Sequence, residues 1–257
     1  MADHSDFIPC TMKQLPAGGL IAAAKQALEI NPLNRPVVLN KIESIGVDLS
    51  DPMFIAILTD RKWHTKGVNL SVSFLDNPSA ALRAAILFHM NAWSEHANVR
   101  FRETNGTGQV RIARALDGYW SHLGTEILEV PDYEPTMNLQ EIMSADDPKL
   151  RRVVRHETGH TLGFPHEHLR RAFVQRLVAE KVIDYYAAAY GWSAEQTRKQ
   201  VLTPIQDAAI VGTDADEDSI MCYEVPGTLT VDGQPIRGGQ DINARDAAFA
   251  AACYPKL

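Results

Sequence analysis

Cysteine is scarce: Cys10, Cys222 and Cys253 are the only three in 257 residues. That is too few and too scattered for a disulfide framework or a cysteine-built zinc site. An odd count leaves at least one thiol outside any intrachain bond. A Cys222–Cys253 bridge is open to the chain, and the simpler reading of each is a small buried hydrophobe. Long apolar runs are missing too, with nothing near the roughly 18 residues of a membrane span. The opening MADHSDFIPC lacks a basic segment followed by an apolar one. No secretory signal is therefore visible, and the expectation is a cytoplasmic protein or one exported by a non-classical route. Nor is there an excess of positive charge: 25 Lys and Arg against 32 Asp and Glu give −7, which removes any general attraction to nucleic acid. The short clusters Arg151, Arg152, Arg155 and Arg170, Arg171 read as solvated helix faces. Repeats and low-complexity tracts are absent. What remains is an ordinary globular composition, 45% hydrophobic and 22% charged, long enough to bury a sizeable core.

Residues 1–59 carry repeated Pro and Gly punctuation (Pro9, Pro16, Gly18, Gly19, Pro32, Pro36) around one short helix over 19–30. They read as an N-terminal extension to a main domain of residues 60–257. The alternation VNLSVSFL over 68–75 predicts a strand. Asn77 caps, and Pro78 opens, a helix running to about His96, with Ala81, Ala85, Phe88 and Ala92 as its apolar stripe and Leu82, Ile86 and Trp93 beside it. VRFRE and QVRIARA follow as strands around the turn NGTG, and residues 120–130 as one or two more. Further helices are expected over 147–162, where Gly163 and Pro165 stop the chain, then over about 171–190 and 241–253. The fold class this predicts is α+β: a mixed, twisted sheet with a backing helix, joined to a helix-rich C-terminal subdomain.

HETGHTLGFPH, residues 156–166, carries the chemistry. His156 and His160 are four apart on an expected helix, so their imidazoles lie one above the other on one face. That spacing suits two nitrogens at about 2.0–2.1 Å from one zinc ion. Glu157 is placed to act on a metal-bound water rather than on the metal. A third ligand cannot continue along the helix; Gly163 turns the chain, so that His166 approaches from another side. Three protein ligands leave one position open, as catalytic zinc requires and structural zinc does not. The bland reading, a helix with solvated or core-satisfied histidines, leaves the third histidine and the glycine unexplained.

SIMCY, residues 219–223, lies downstream of that motif. HExxHxxGxxH followed by a methionine turn resembles the metzincin clan of zinc peptidases, and HETGHTLGFPHE with SIMCY resembles its astacin branch. YWSHLG (119–124) is similar to that family's substrate-lining edge strand, KWHTKGVNLSVSF to its opening strand, and DINARDAAFAAACY to its C-terminal helix. The resemblance covers roughly residues 60–257. It implies a zinc-dependent endopeptidase acting on peptide or protein substrates. An active-site helix would form the floor of a horizontal cleft, with the sheet above and a methionine-turn subdomain below. It also implies a hydrophobic floor at Met221 beneath the three histidines. Tyr223 would lie near the zinc, as a removable ligand or a donor to the transition-state oxyanion. Glu167 would take a buried structural role near the mature N-terminus. The chain departs from the family in having Cys222 where His is common, in lacking the disulfides of secreted members, and in having no recognisable family pro-segment.

Secondary candidates are fewer. Cys10 could act as a latency switch on the open zinc position, against the plainer reading of an inert buried thiol. Asp214, Asp216, Glu217 and Asp218 could hold Ca2+ through oxygen ligands, against a solvated acidic turn. His168 reads as a neighbour of the ligands or a surface residue. His64, His89, His96 and His122 read as core or surface, and Trp63, Trp93, Trp120 and Trp192 as core or cleft-lining aromatics. Two rival functions remain: a catalytically silent module that keeps the site to bind peptides, and an amidase acting on a modified peptide. Oligomeric state is not legible in the sequence.

Overall fold

A computed structural model describes residues 10–36, 59–204 and 214–256. The chain divides into one unit of Met1–Pro165 with Ala244–Leu257 and a second of His166–Asn243.

The first unit is built on a six-stranded sheet of order β1-β5-β6-β4-β2-β3. Its strands are β1 (Cys10–Lys13), β2 (Val68–Phe74), β3 (Val99–Glu103), β4 (Val110–Ala113), β5 (Tyr119–His122) and β6 (Met137–Leu139). The pairs β2–β3, β2–β4 and β4–β6 are parallel, β5 runs antiparallel to β6, and β1 lies parallel to β5 at the sheet edge. In β2, Val68, Leu70 and Val72 are buried while Asn69 is exposed, as the alternation predicts. Only one strand forms within 120–130; a short 3-10 turn, Gly124–Leu128, follows it. The three-residue β6 was not anticipated.

Helix α2 (Ala80–Met90) backs the sheet, continuing into a 3-10 turn, Asn91–Glu95. Its cap is Ser79, whose Oγ accepts from the Leu82 N–H at 3.2 Å, not Asn77, which lies before the helix in the left-handed region at φ 49°. The buried stripe is Leu82, Ile86, Met90 and Trp93; Phe88, expected inside, is 70% exposed. Alanines dominate two sides of this helix, so periodicity alone could not choose between them. Ser79→Ala is expected to cost about 1 kcal/mol of stability, measurable as a lowered denaturant midpoint at unchanged m-value.

Helix α3 (Leu150–Thr161) is buried around its whole second half, from His156 to Thr161. Trp93 Nε1 donates to the Arg155 carbonyl at 2.9 Å, fastening α3 to the end of α2. On the sheet side, Ser121 Oγ and Thr161 Oγ1 lie 3.1 Å apart, and Trp63 Nε1 donates to the Thr161 carbonyl at 2.8 Å. The helix ends as its sequence predicts. Gly163, at φ +88°, donates to the His160 carbonyl at 2.8 Å, and Phe164 N–H donates to the Gly159 carbonyl at 3.0 Å. These two bonds form a Schellman cap. A Cβ on Gly163 would lie 3.0 Å from the Arg61 carbonyl oxygen, so backbone angle and neighbouring chain both require glycine.

Helix α1 (Ala17–Ile30) follows β1. Leu15, Ala23 and Val130 form a small buried cluster with Leu20 packed on it. Asn34 Nδ2 donates to the Ala27 and Lys62 carbonyls at 2.9 and 2.8 Å. Residues 15–34 are therefore docked on the rest of the sheet unit.

In the second unit, the single helix expected over 171–190 is two: α4 (Arg171–Val174) and α5 (Ala179–Tyr190). Between them the backbone turns to lateral pairing. Val178 N–H donates to the Leu229 carbonyl at 2.8 Å, and Val231 N–H to the Arg176 carbonyl at 2.7 Å. Gly191, at φ 69°, ends α5, and α6 (Ala194–Thr197) runs into a π-turn, Arg198–Leu202. The last helix, α7 (Ala244–Cys253), belongs to the first unit, where Phe249 packs on Phe164 at 5.1 Å between ring centroids. The architecture is α+β, as expected. No described helix is long and apolar enough to cross a membrane, and none of the three cysteines forms a disulfide.

Candidate metal centre

His156 and His160 project from one face of α3, their rings 4.8 Å apart and nearly perpendicular. His160 Nδ1 lies 2.7 Å from the Phe164 carbonyl oxygen. Against a carbonyl that nitrogen must donate, which leaves Nε2 with its lone pair as a ligand atom. Burial lowers the His160 pKa to about 4, so the ring is neutral near pH 7, the form a metal needs. The cap that ends the helix thus also orients the ligand.

The ligand-capable atoms of Cys10, His156, His160 and His166 all lie within 4.8 Å of one another, and all four residues are buried. Among the described residues this is the one group of three or more His, Cys, Asp or Glu able to hold a metal ion. Two nitrogens bound tetrahedrally to one zinc stand about 3.4 Å apart, so a small closing movement suffices. Imidazole and thiolate are both good zinc donors, and the donor set fits this ion. Cys10, read in the sequence either as a switch on the open zinc position or as an inert buried thiol, is the fourth member of this group. Its thiol comes from β1, far away in sequence, with no flanking motif to announce it.

Glu157 is 1% exposed, and its Oε2 has no hydrogen-bond partner. Burial pushes its pKa up to about 8, while a hydrogen bond with Cys10 and the charge of Arg152 pull the other way. Burial beside His156 has thus shifted the proton affinity of this carboxyl and left one of its oxygens idle, features that cluster at functional sites.

The second unit places the remaining expected residues. Tyr223 is fully buried, with its ring 4.6 Å from that of His166. His168 stacks on Tyr223 at 4.0 Å and 18°, its Nε2 lying 3.0 Å from the Gln200 carbonyl oxygen. Of the two readings its position offered, a neighbour of the ligands or a surface residue, the first holds: it is buried with its ring 4.8 Å from that of His166. The buried Met221 sits in a tight turn: its N–H donates to Ser219 Oγ at 3.0 Å, and its carbonyl accepts from Glu167 N–H at 2.8 Å. Glu167 is itself half-buried. Its Oε1 pairs with Arg170 Nε at 2.6 Å and accepts from Asp216 N–H at 3.0 Å. Burial raises its pKa against the pull of Arg170.

The calcium expectation is corrected. The acidic run turns to other partners: Asp218 grips the Arg237 guanidinium through two bonds of 2.7 Å, and Glu217 pairs with the same group at 3.3 Å. Asp216 Oδ2 accepts from Asn243 Nδ2 at 2.8 Å. These carboxylates are neutralised or hydrogen-bonded individually and do not converge on a common point as an oxygen cage does.

Comparison with known proteins agrees with this geometry. Residues 56–226 match the family Astacin (Peptidase family M12A). Among solved structures, one of myroilysin superposes with a TM-score of 0.71 at 28% identity, covering 77% of this chain and 97% of that one. A second crystal structure of myroilysin gives 0.58 at 29% identity, with 76% and 86% covered. High choriolytic enzyme 1, a hatching-enzyme zinc protease of the medaka fish Oryzias latipes, gives 0.54 at 20% identity, with 76% and 94% covered, a likeness of fold. A comparison with curated proteins returned no match. With most of the chain matched to one family, and a buried imidazole cluster where that family's chemistry requires a metal, the chain belongs to the astacin family of the metzincin clan and is a zinc metallopeptidase.

Proposed function

We propose that this zinc endopeptidase cleaves peptide bonds by water attack, with Glu157 as the general base and acid and His156, His160 and His166 as the protein ligands. The observation that carries the reading is the Glu157 carboxyl: buried on the ligand-bearing helix, with one oxygen unused. When bound, zinc would lower the pKa of a water to about 7 and polarise the scissile carbonyl. Glu157 accepts the proton of the attacking water and returns it to the departing amine, one carboxylate serving both transfers. His160 keeps its ligand nitrogen aimed through the bond of its other nitrogen to the Phe164 carbonyl. Tyr223, held by the His168 stack, donates a hydrogen bond from its phenolic O–H to the developing oxyanion. Met221 supplies the apolar floor, and Gly163 the turn that frees His166 from the helix.

Tyr223→Phe removes one oxyanion donor and is expected to lower kcat about 10²-fold with KM little changed. Equal losses in binding and turnover would place the residue elsewhere. The reading as a whole is tested with a fluorogenic peptide library, with and without a chelator. Hydrolysis should vanish with chelation and return with added zinc; hydrolysis indifferent to the chelator contradicts it. Zinc binding without cleavage of any peptide would instead favour the silent peptide-binding module, and cleavage confined to a modified amide would favour the amidase.

A further inference from the structure

We propose that the outer face of the sheet at β3 is a docking site for an acidic, extended segment of a polypeptide substrate, remote from the bond that is cut. This docking rests on the endopeptidase reading above and decides which polypeptides the enzyme retains.

The site is a cleft of about 850 Å3 bordered by Asn69 of β2, Asn98, Arg100 and Arg102 of β3, and Lys256 beyond α7. Three cations line it, and among the described residues no carboxylate does. In a chain of net charge −7, this gathers positive charge where the molecule as a whole is negative, and so attracts acidic partners. Neither arginine is spent elsewhere. Both are exposed, and neither guanidinium has a protein partner among the described residues. Lys256 Nζ reaches only the neutral Glu95 carbonyl, at 3.0 Å. Glu103, at the end of the strand, is held by Arg83 at 2.6 Å.

Arginines on an edge strand often serve only to discourage pairing with another chain. Here that task is already done. β3 is the last strand of the sheet, and the Asn91 side chain takes both the N–H and the C=O of Phe101, each at 3.0 Å. Asn91 is itself tied back to the Leu87 carbonyl at 2.9 Å, and Val99 N–H donates to the Ala97 carbonyl at 2.9 Å. The edge is closed to an added strand at Phe101, so a partner must be held by side chains.

Spacing selects the kind of partner. Val99 and Phe101 are buried while Arg100 and Arg102 share the opposite pleat, rising from points roughly 6.6 Å apart. Asn69 and Ser71 lie beside them in the β2–β3 register. Alternate side chains of an extended peptide have the same repeat, so carboxylates at positions i and i+2 meet both guanidiniums together. Each guanidinium can grip a carboxylate through two parallel bonds. β3 is four strands from β5 in the sheet order, roughly 19 Å at the usual strand spacing. The cleft is therefore separate from the zinc site, and a substrate spanning the two needs at least about six extended residues between them.

The test uses the full zinc-loaded chain and a fluorescein-labelled peptide in which Glu and Thr alternate, read by fluorescence anisotropy at low ionic strength. Wild type should bind it at least about tenfold more tightly than the matching Gln–Thr peptide, and added salt should weaken the binding. Arg100→Glu with Arg102→Glu, at unchanged circular dichroism, should lose the acidic peptide at least about tenfold. In a cleavable peptide, the Glu–Thr segment placed beyond the spacer should lower KM at least about threefold at unchanged kcat. The double variant should show no such effect. Equal binding of acidic and neutral peptides, or equal binding by wild type and variant, overturns the proposal. So does a preference for a sulfated polysaccharide over the peptide, or a KM indifferent to the segment. If binding behaves as expected but no form cleaves any peptide, the docking site stands and the endopeptidase reading fails.

Discussion

Glu157→Ala should retain one zinc ion per chain and lose about 10²–10⁴-fold or more in kcat/KM. The expectation follows from how the carboxyl is held. It lies on α3 beside His156, almost fully buried, with Oε2 unpartnered. Its pKa stands near 8 through loss of solvation; a divalent ion alongside would favour the carboxylate again. Removing it takes away the proton relay without touching a ligand nitrogen. The comparison is best made on a Cys10→Ala background, because the Cys10 thiol lies among the ligand-capable atoms. Metal analysis of the same preparation separates loss of chemistry from loss of zinc. A Glu157→Ala protein that hydrolyses peptides at near wild-type rate would end the assignment.

His160→Ala should behave in the opposite way. Zinc content after dialysis should fall from about one per chain to almost none, with affinity weakened by more than about 100-fold, beyond the loss seen when only an outer hydrogen-bond partner of a ligand is removed. His160 is fully buried and its Nδ1 is committed to the Phe164 carbonyl, so its other nitrogen is presented to the ion without a conformational search. Added zinc should raise the melting temperature of the Glu157→Ala protein but not that of His160→Ala, because only a ligand that binds the native state stabilises it. An alanine variant at His160 that still carries a full equivalent of zinc would remove this residue from the ligand set.

The metal-binding helix was legible because its signals are local. Four-residue spacing puts two imidazoles on one face whatever surrounds the helix, and Gly163 stops the chain by its own backbone freedom. Strand β2 was legible for the same reason, since its alternation needs no partner. What escaped is long-range. The break between α4 and α5 comes from pairing of Arg176 and Val178 with Leu229 and Val231, which no helical periodicity over 171–190 encodes. Phe88 faces solvent and Met90 the core, a choice made by where Trp93 meets α3 rather than by hydrophobicity. The acidic run leaves a cation site and a solvated turn both open in the sequence, and Arg237 and Asn243, brought to it by the fold, favour the turn. Cys10 is a mixed case: the sequence offers it as a candidate at the open position, but what carries its thiol to the imidazoles, the pairing of β1 with β5, is long-range.

The most direct measurement is a titration of zinc into chelator-stripped Cys10→Ala protein, following peptide hydrolysis against bound metal. The account predicts no hydrolysis in the stripped protein and a rise that saturates at one ion per chain. Hydrolysis without the ion, or full occupancy of the imidazole cluster with no hydrolysis, would contradict it.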